Sequence, residues 1–354
     1  MDTLVMKEEQ GQVVYEKSGA ILREGGLVAF PTETVYGLGG NALDKSASQK
    51  IYTAKGRPSD NPLIVHICNE EMMLPLVAYI PEKAKLLMDS FWPGPLTLIF
   101  KKTEFVPYET TGGLDTVAIR FPSHICARKI IECAGVPIAA PSANVSGRPS
   151  PTMADHVVED MNGRIDMIVD GGSVGIGVES TIVDVSGELP MILRPGSITK
   201  EMIEQVIGSV KMDEAITKKV SDTVAPKAPG MKYRHYAPKA PLTIVSGNEE
   251  LVASKILDII KEKKEENQMV GIICTNQTKS FYTEKKDDLN NMVIKVIGDK
   301  QDSKQIAHNL YHVLRAFDSE NVSIIVSEHI STGILKDAIE NRLMKAAGHK
   351  IIYV

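Results

Sequence analysis

The first two hundred residues alternate short β-rich runs with helix-like segments, and Pro, Gly and small polar residues stand at the junctions. Apolar β-rich runs occur at residues 26–30 and Thr116–Phe121, among others. Helices are predicted over Asp44–Lys55, with Asp44 as the N-cap, and over Pro81–Phe91, with Pro in the first turn. This mixed order predicts an α/β or α+β fold with a central sheet.

A change of composition divides the chain. Residues 209–240 lack a clear period, contain several Pro residues, and carry seven basic against three acidic side chains, which is typical of a linker. From residue 241 onward strand-like runs alternate with helical ones, which predicts a small, mostly parallel, Rossmann-like α/β domain. The predicted organisation is therefore a main domain over 1–208, a basic linker over 209–240, and a second domain over 241–354.

Charge and composition exclude several classes of protein. Residues 1–208 carry 18 basic and 26 acidic side chains, a net charge of −8, which disfavours a dedicated nucleic-acid binder. No signal-peptide core or membrane-length apolar run is present, so we expect a cytoplasmic protein. The four cysteines form no CxxC pair, and His308 and His312 lack the glutamate of an HExxH motif. We therefore expect neither a disulfide framework nor a metal site.

Lys55 and Arg57 flank a glycine where a predicted helix ends. Two cations on a tight turn can bind phosphate or carboxylate oxygens, because guanidinium forks onto such groups. The alternative is a solvated helix C-terminus whose cations satisfy the last carbonyls. The segment alone does not decide between the two.

Three further segments combine a strand with side chains suited to ligands. PSANVSGRPSPT at 141–152 follows an apolar strand and offers hydroxyl and amide groups where open α/β sheets bind ligands, although the same residues form ordinary turns. Arg120 lies inside an apolar strand, which is costly unless the cation is paired or faces a cavity. A structural salt bridge and a ligand contact are both open. Glu179–Thr181 precede another strand and fit either a ligand site or a turn.

Seven segments in register resemble the YrdC-like threonylcarbamoyl-AMP synthases, in their longer two-domain form. The resemblance spans about residues 12–207 and is carried by FPTETVYGLG (30–39), KGRP…NPL (55–63), WPGPLT (92–97), RFP (120–122), APSAN.SG (140–147), STI.D (180–184) and LRPG (193–196). PGMKYRHYAP at 229–238 resembles the connector of these proteins. The family implies a twisted mixed sheet with a concave basic face, a linker that closes over the active site, and a small C-terminal α/β domain.

The resemblance also implies roles for individual residues. It assigns the catalytic role, through the grip on the triphosphate, to Lys55 and Arg57. The residues it assigns to ATP are Lys55, Arg57, Asn61, Thr116, Ser142, Asn144, Ser150, Arg194, His235 and Tyr236. The residues it assigns to L-threonine are Thr34, His66, Arg120, Ala140 and Ser180.

The implied activity is that of an L-threonylcarbamoyladenylate synthase, a nucleotidyltransferase that makes threonylcarbamoyl-AMP and pyrophosphate from L-threonine, bicarbonate and ATP. ATP is a substrate and Mg²⁺ is expected to accompany its triphosphate. A separate threonylcarbamoyl transferase complex would use the product to modify tRNA beside the anticodon, and no stable tRNA complex or membrane contact is expected. The alternatives are an RNA-binding module without catalysis and a carbamoyl-transfer module like that of hydrogenase-maturation proteins, whose cysteine pairs this chain lacks.

Overall fold

A computed structural model describes residues 2–216, 226–229, 231 and 235–354 of the chain. The chain forms two compact units. Unit 1 comprises Met1–Ser146 and Ser150–Tyr233, and unit 2 comprises Gly147–Pro149 and Arg234–Val354. The predicted linker over 209–240 is thus divided between the units, and its residues 217–225, 230 and 232–234 lie outside the described part of the chain.

Unit 1 is organised around a mixed sheet with the strand order β1-β8-β2-β3-β7-β4-β6-β5-β9-β10-β11. Its described strands are β1 (Leu4–Lys7), β2 (Val28–Phe30), β3 (Gly37–Asn41), β4 (Ile64–His66), β5 (Leu96–Lys101), β6 (Thr116–Arg120), β7 (Ile138–Ala139), β8 (Met167–Asp170), β9 (Thr181–Asp184), β10 (Met191–Arg194) and β11 (Lys211–Met212). Parallel and antiparallel pairs both occur, which confirms the predicted mixed sheet.

The described helices of unit 1 cover this sheet. They are α1 (Gln12–Arg23), α2 (Lys45–Lys55), α3 (Glu82–Phe91), α4 (Tyr108–Thr111), α5 (Ile125–Ala134), α6 (Ala154–Met161) and α7 (Lys200–Ile207), with short 3₁₀ helices at Glu8–Gln10 and Glu214–Ile216. Helix α2 shows why the ends fall where they do. The Asp44 side chain accepts from the Ser46 amide at 2.8 Å, which confirms the predicted N-cap. Gly56 ends the helix in the left-handed conformation.

Alternation along the strands separates two buried faces. Val65, Leu98 and Ile119 belong to the core that includes helices α2, α3, α6 and α7. On the opposite face, α1 and α5 pack against β2, β7 and β8, burying residues such as Phe30. The part of that second face formed by β4, β5, β6 and β9 carries instead a small cluster in which Ala228, from the predicted linker, is completely buried.

Unit 2 is a parallel α/β domain with the strand order β14-β13-β15-β12-β16. Its strands are β12 (Leu242–Ser246), β13 (Val270–Cys274), β14 (Met292–Val296), β15 (Ile324–Glu328) and β16 (Ile351–Tyr353), and its helices are α8 (Glu249–Glu265), α9 (Lys279–Thr283), α10 (Ser303–Ala316) and α11 (Lys336–Ala346). The predicted parallel domain is confirmed, although β16 was not predicted.

Two further observations concern membrane-spanning helices and the cysteines. Among the described residues, no helix is both long and apolar enough to cross a membrane. Cys68, Cys126, Cys133 and Cys274 are free thiols, and Cys126 and Cys274 are buried.

Candidate active site

Strand register brings the residues assigned to threonine towards one end of β6. His66 on β4 and Thr97 on β5 are both direct partners of Arg120, the last residue of β6. Directly paired residues point to the same face of a sheet, so these three side chains lie side by side. Thr116 is the first residue of β6 and stands about 13 Å away along the strand, at roughly 3.3 Å per residue. The strand therefore has an Arg120 end and a Thr116 end.

Arg120 forms a buried ion pair with a carboxylate that the sequence did not single out. Its Nη2 lies 2.8 Å from Glu33 Oε1, and the two side chains are only 5% and 13% exposed. Arg120 Nε has no hydrogen-bond acceptor within the described part of the chain, whereas Nη2 faces the Glu33 carboxylate. Both possibilities left open for Arg120 are thus represented, because the cation has a salt-bridge partner and still has donors to offer to a ligand. Glu33 stands within the family segment 30–39, and a carboxylate three residues after a buried strand was the available signal.

Electrostatics fix the charge states of this pair and its neighbour. Burial acts to raise the pKa of Glu33, but the Arg120 charge and nearby backbone contacts outweigh it, and the pKa lies below its ordinary value. Burial, with a further contribution from the Arg120 charge, lowers the pKa of His66 to about 3. At neutral pH the site therefore holds an ionised carboxylate, a guanidinium and a neutral imidazole.

Two of the remaining threonine-assigned residues join the same end through short contacts. Ser180 Oγ lies 2.7 Å from Thr97 Oγ1, and Thr34 Oγ1 lies 2.9 Å from Thr32 Oγ1, next to Glu33. The Ala140 amide donates to the carbonyl of Ile64, two residues before His66, at 2.8 Å. The structure thus gathers Thr34, His66 and Ser180 with Arg120 at one end of β6, and Thr97 is an additional polar group there that was not predicted. Ala140 contacts Ile64, which pairs with Ala118 at the middle of the strand.

Lys55 is buried and binds the loop that follows β7. Its Nζ donates to Asn144 O at 2.5 Å and to Ser142 O, while the Ser146 amide donates back to Lys55 O at 2.8 Å. The side chain is 1% exposed, so the alternative of a solvated helix C-terminus is wrong for this residue. Ser142 Oγ and Asn144 Oδ1 are 2.6 Å apart within the same loop. Lys55 therefore sets the shape of the loop that carries two predicted ATP-binding residues.

Arg57 and Asn61 lie towards the Thr116 end. Arg57 donates to the carbonyls of Asn61 and Pro62 at 3.2 and 2.9 Å, which holds the turn that leads into β4. Asn61 is buried, and its Oδ1 has no hydrogen-bond partner in the described part of the chain. Because Ile64 pairs with Ala118, the residues just before β4 lie beside Thr116. An unfilled acceptor at this position is suited to an N–H donor such as an exocyclic amine.

Ser150 and Arg194 connect to the turn before β9. Ser150 Oγ donates to Glu179 Oε1 at 2.6 Å, with both side chains buried. Arg194 donates through Nε to the Ser180 carbonyl at 3.0 Å and through Nη2 to Ser180 Oγ at 3.2 Å. Arg194, which is assigned to ATP, is therefore in direct contact with Ser180, which is assigned to threonine. Glu179, for which the sequence left both a ligand site and a turn open, is a second carboxylate at this position.

The predicted lid has one part in each unit. In unit 1, Ala228 is fully buried with Ile64, Ile99 and Ala118, on the face that carries Arg120 and Thr116. In unit 2, Tyr236 has a positive φ of 65° and is 5% exposed, with its ring centroid 5.2 Å from that of Tyr311. His235 and Tyr236 thus have a structural place in unit 2, and their assignment to ATP stays a prediction.

Comparison with known proteins gives the family. A family model described as "Telomere recombination" matches residues 20–196, and one described as "Threonylcarbamoyl-AMP synthase, C-terminal domain" matches residues 198–348. Threonylcarbamoyl-AMP synthase of Pyrococcus abyssi is 49% identical over 340 residues, covering 95% of each chain. The chain belongs to the threonylcarbamoyl-AMP synthase family. The enzyme of that name from Bacillus subtilis is 48% identical over 337 residues, covering 95% of this chain and 93% of its own.

Solved structures agree with this family at the level of the whole chain. A crystal structure of P. abyssi Sua5 complexed with L-threonine has a TM-score of 0.90 and 46% identity, and covers 100% of both chains. A doubly substituted variant of the same protein has a TM-score of 0.91 and 46% identity, covering 99% of this chain and 98% of its own. Escherichia coli YciO, with 23% identity and a TM-score of 0.50, covers 56% of this chain and shares the fold alone.

Proposed function

We propose that the chain is an L-threonylcarbamoyladenylate synthase, which makes threonylcarbamoyl-AMP and pyrophosphate from L-threonine, bicarbonate and ATP. The observation that carries the proposal is the buried Arg120, whose Nη2 pairs with Glu33 while its Nε has no hydrogen-bond acceptor among the described residues. A full-length relative at 46% identity was crystallised with L-threonine, which fits an amino-acid carboxylate at this position. The names of the curated relatives support the same reaction.

Two substrates are accommodated by the two ends of β6. The threonine carboxylate accepts from Arg120, and neutral His66 adds no second positive charge that would hold the amine away. The nucleotide extends from the Asn61 and Thr116 end towards Ser142 and Arg194. About 13 Å of strand separates the two ends, so the threonine amine and the α-phosphate meet between them. Holding reactants in this way supplies much of the rate acceleration in transfers that need no enzyme nucleophile.

The bond changes require only positioning and charge. The threonine amine adds to bicarbonate, and loss of water leaves a carbamate. A carbamate oxygen then forms a bond to the α-phosphorus of ATP, and the bond from that phosphorus to the bridging oxygen breaks, so pyrophosphate leaves with the electron pair. In this proposal Arg57 and Arg194 stabilise the charge that develops on the phosphates, and Lys55 holds the Ser142–Asn144 loop that contacts them.

Mg²⁺ would accompany the triphosphate and neutralise part of its charge. The Glu33 and Glu179 carboxylates are already engaged by Arg120 and Ser150, so the phosphates themselves would supply oxygen ligands to the ion. The buried Ala228 supports a connector that covers the reacting atoms, because carbamates and adenylates both decompose in water. We further propose a cytoplasmic reaction, consistent with the four free thiols, whose product passes to a separate tRNA-modifying threonylcarbamoyl transferase complex.

The direct test is pyrophosphate release by the purified full-length chain with L-threonine, bicarbonate and ATP, each omitted in turn. The proposal requires that release depends on all three and that mass spectrometry detects threonylcarbamoyl-AMP. Release that continues without threonine would contradict it. Steeply salt-dependent RNA binding without pyrophosphate release would support the alternative of an RNA-binding module, against which the net charge of −8 over residues 1–208 already argues.

A further inference from the structure

Three side chains of metal-ligand type converge outside the residues assigned to threonine and ATP. Glu8 begins the 3₁₀ helix after β1, His124 is the N-cap of α5, and Cys126 lies in the first turn of α5. One ligand atom from each, a carboxylate oxygen, an imidazole nitrogen and Sγ, lies within 4.8 Å of the other two. In a tetrahedral zinc site with bonds of 2.0–2.3 Å, ligand atoms are roughly 3.5 Å apart. Small side-chain rotations would therefore bring the three to binding distance.

The imidazole provides independent support for a ligand. His124 Nδ1 is buried and has no hydrogen-bond partner within the described part of the chain. The side chain does not cap α5, although it occupies the N-cap position. A buried polar atom without a partner is destabilising, so such an atom calls for a specific explanation, and a bound ion is one.

The surroundings favour a borderline metal over a hard one. Cys126 is fully buried in the apolar cluster between α1 and α5, where burial raises the pKa of its thiol, so the metal itself has to displace the Sγ proton. Glu8 is half-buried, and the backbone of Gly171 passes so close to its Oε2 that a side chain at 171 would collide with it. One sulfur, one imidazole nitrogen and one carboxylate oxygen form a donor set typical of Zn²⁺.

We propose that Glu8, His124 and Cys126 bind one Zn²⁺ ion, with water as the fourth ligand. To bind the ion, His124 must be neutral and Cys126 must be a thiolate, so the Sγ proton is released to solvent when the metal binds. The ion would join the start of the chain to the segment that follows Arg120. Sequence spacing could not indicate this site, because Glu8 is separated from the other two ligands by about half of unit 1.

Metal titration of the full-length chain tests the proposal without relying on activity. After removal of metal with a chelator, Co²⁺ serves as the spectroscopic probe and Zn²⁺ as the competitor. We expect one equivalent of Co²⁺ to produce a thiolate-to-metal charge-transfer band that Zn²⁺ abolishes, and Zn²⁺ to raise the Tm. Cys126→Ser should remove the band, and Glu8→Gln or His124→Gln should weaken Zn²⁺ binding by at least about 10-fold.

Cys133→Ser is the matched control, because Cys133 lies on the same helix but outside the cluster. It should keep the band, the stoichiometry and the affinity of the unchanged protein. If Cys126→Ser does not fold, Glu8→Gln and His124→Gln still test the proposal, because both residues are only half-buried. The proposal is overturned if the unchanged protein shows no stoichiometric band, if Cys126→Ser retains it, if Cys133→Ser loses it, or if Glu8→Gln and His124→Gln both bind Zn²⁺ normally.

Discussion

Replacement of Arg120 separates its structural role from its role towards threonine. Arg120→Ala leaves the Glu33 carboxylate buried without its ion-pair partner, and breaking a buried pair in this way costs about 3–5 kcal/mol of unfolding free energy. The double variant Glu33→Ala with Arg120→Ala removes the unpaired charge as well. We therefore expect it to recover much of that stability. It cannot recover the contact with a threonine carboxylate, because the guanidinium paired with His66 across β4 and β6 is still missing.

The magnitude of the threonine defect follows from the burial of the guanidinium. Removing one partner of a buried charge pair between a protein and its ligand costs about 2–5 kcal/mol, which corresponds to a loss of affinity of about 30-fold to a few thousand-fold. Calorimetric titration with L-threonine measures this loss, and a parallel titration with ATP serves as the internal control. Urea unfolding of the single and double variants measures the stability difference.

Three outcomes would refute this reasoning. The double variant could bind threonine as the unchanged protein does, which would remove Arg120 from the carboxylate site. ATP affinity could fall as much as threonine affinity, which would indicate a general collapse of the site. The double variant could be no more stable than Arg120→Ala, in which case Glu33 is not the buried charge that the single substitution leaves unpaired.

Three further predictions concern other parts of unit 1. Lys55→Ala should abolish pyrophosphate release. It should also lower the unfolding free energy, measured by urea titration, by at least about 2 kcal/mol, because buried carbonyls of the 142–144 loop lose their donor. An unchanged rate of release would remove Lys55 from the site. Ala228→Trp should reduce pyrophosphate release by displacing the connector from the sheet, because the larger side chain does not fit the buried position. The control Lys227→Trp changes an exposed position and should leave the rate unchanged. Equal rates for the two variants would show that the connector plays no part in the reaction. The pKa of His66 is about 3 in the fold and 6.5 ordinarily, so only the unfolded chain takes up that proton as the pH falls below 6.5. The contribution of His66 to the free energy of unfolding is therefore complete above pH 6.5 and falls by ~3 kcal/mol by pH 4.5. In urea titrations, His66→Gln should lose less of its unfolding free energy over this pH range than the unchanged protein does.

Much of the fold could be predicted from local pattern. The helix at Asp44–Lys55 follows from its N-cap and from the glycine after it, and the observed α2 differs only by the cap residue itself. The parallel order of unit 2 follows from regular alternation of apolar strands with amphipathic helices. Strand β16 was missed because Ile351–Tyr353 is three residues long at the end of the chain, which is too short for a period to be recognised.

The sequence by itself determined which polar and charged residues stand at each turn, because turns and strand ends depend on neighbours only a few residues away. The family motifs then indicated which of these turns belong to the site. Tertiary structure alone decided that Glu33 pairs with Arg120, that Lys55 is buried against the Ser142–Asn144 loop, and that Glu8 meets Cys126. Each of these contacts joins segments far apart in the chain. Their existence depends on strand order and register in the sheet, which a local pattern constrains only weakly.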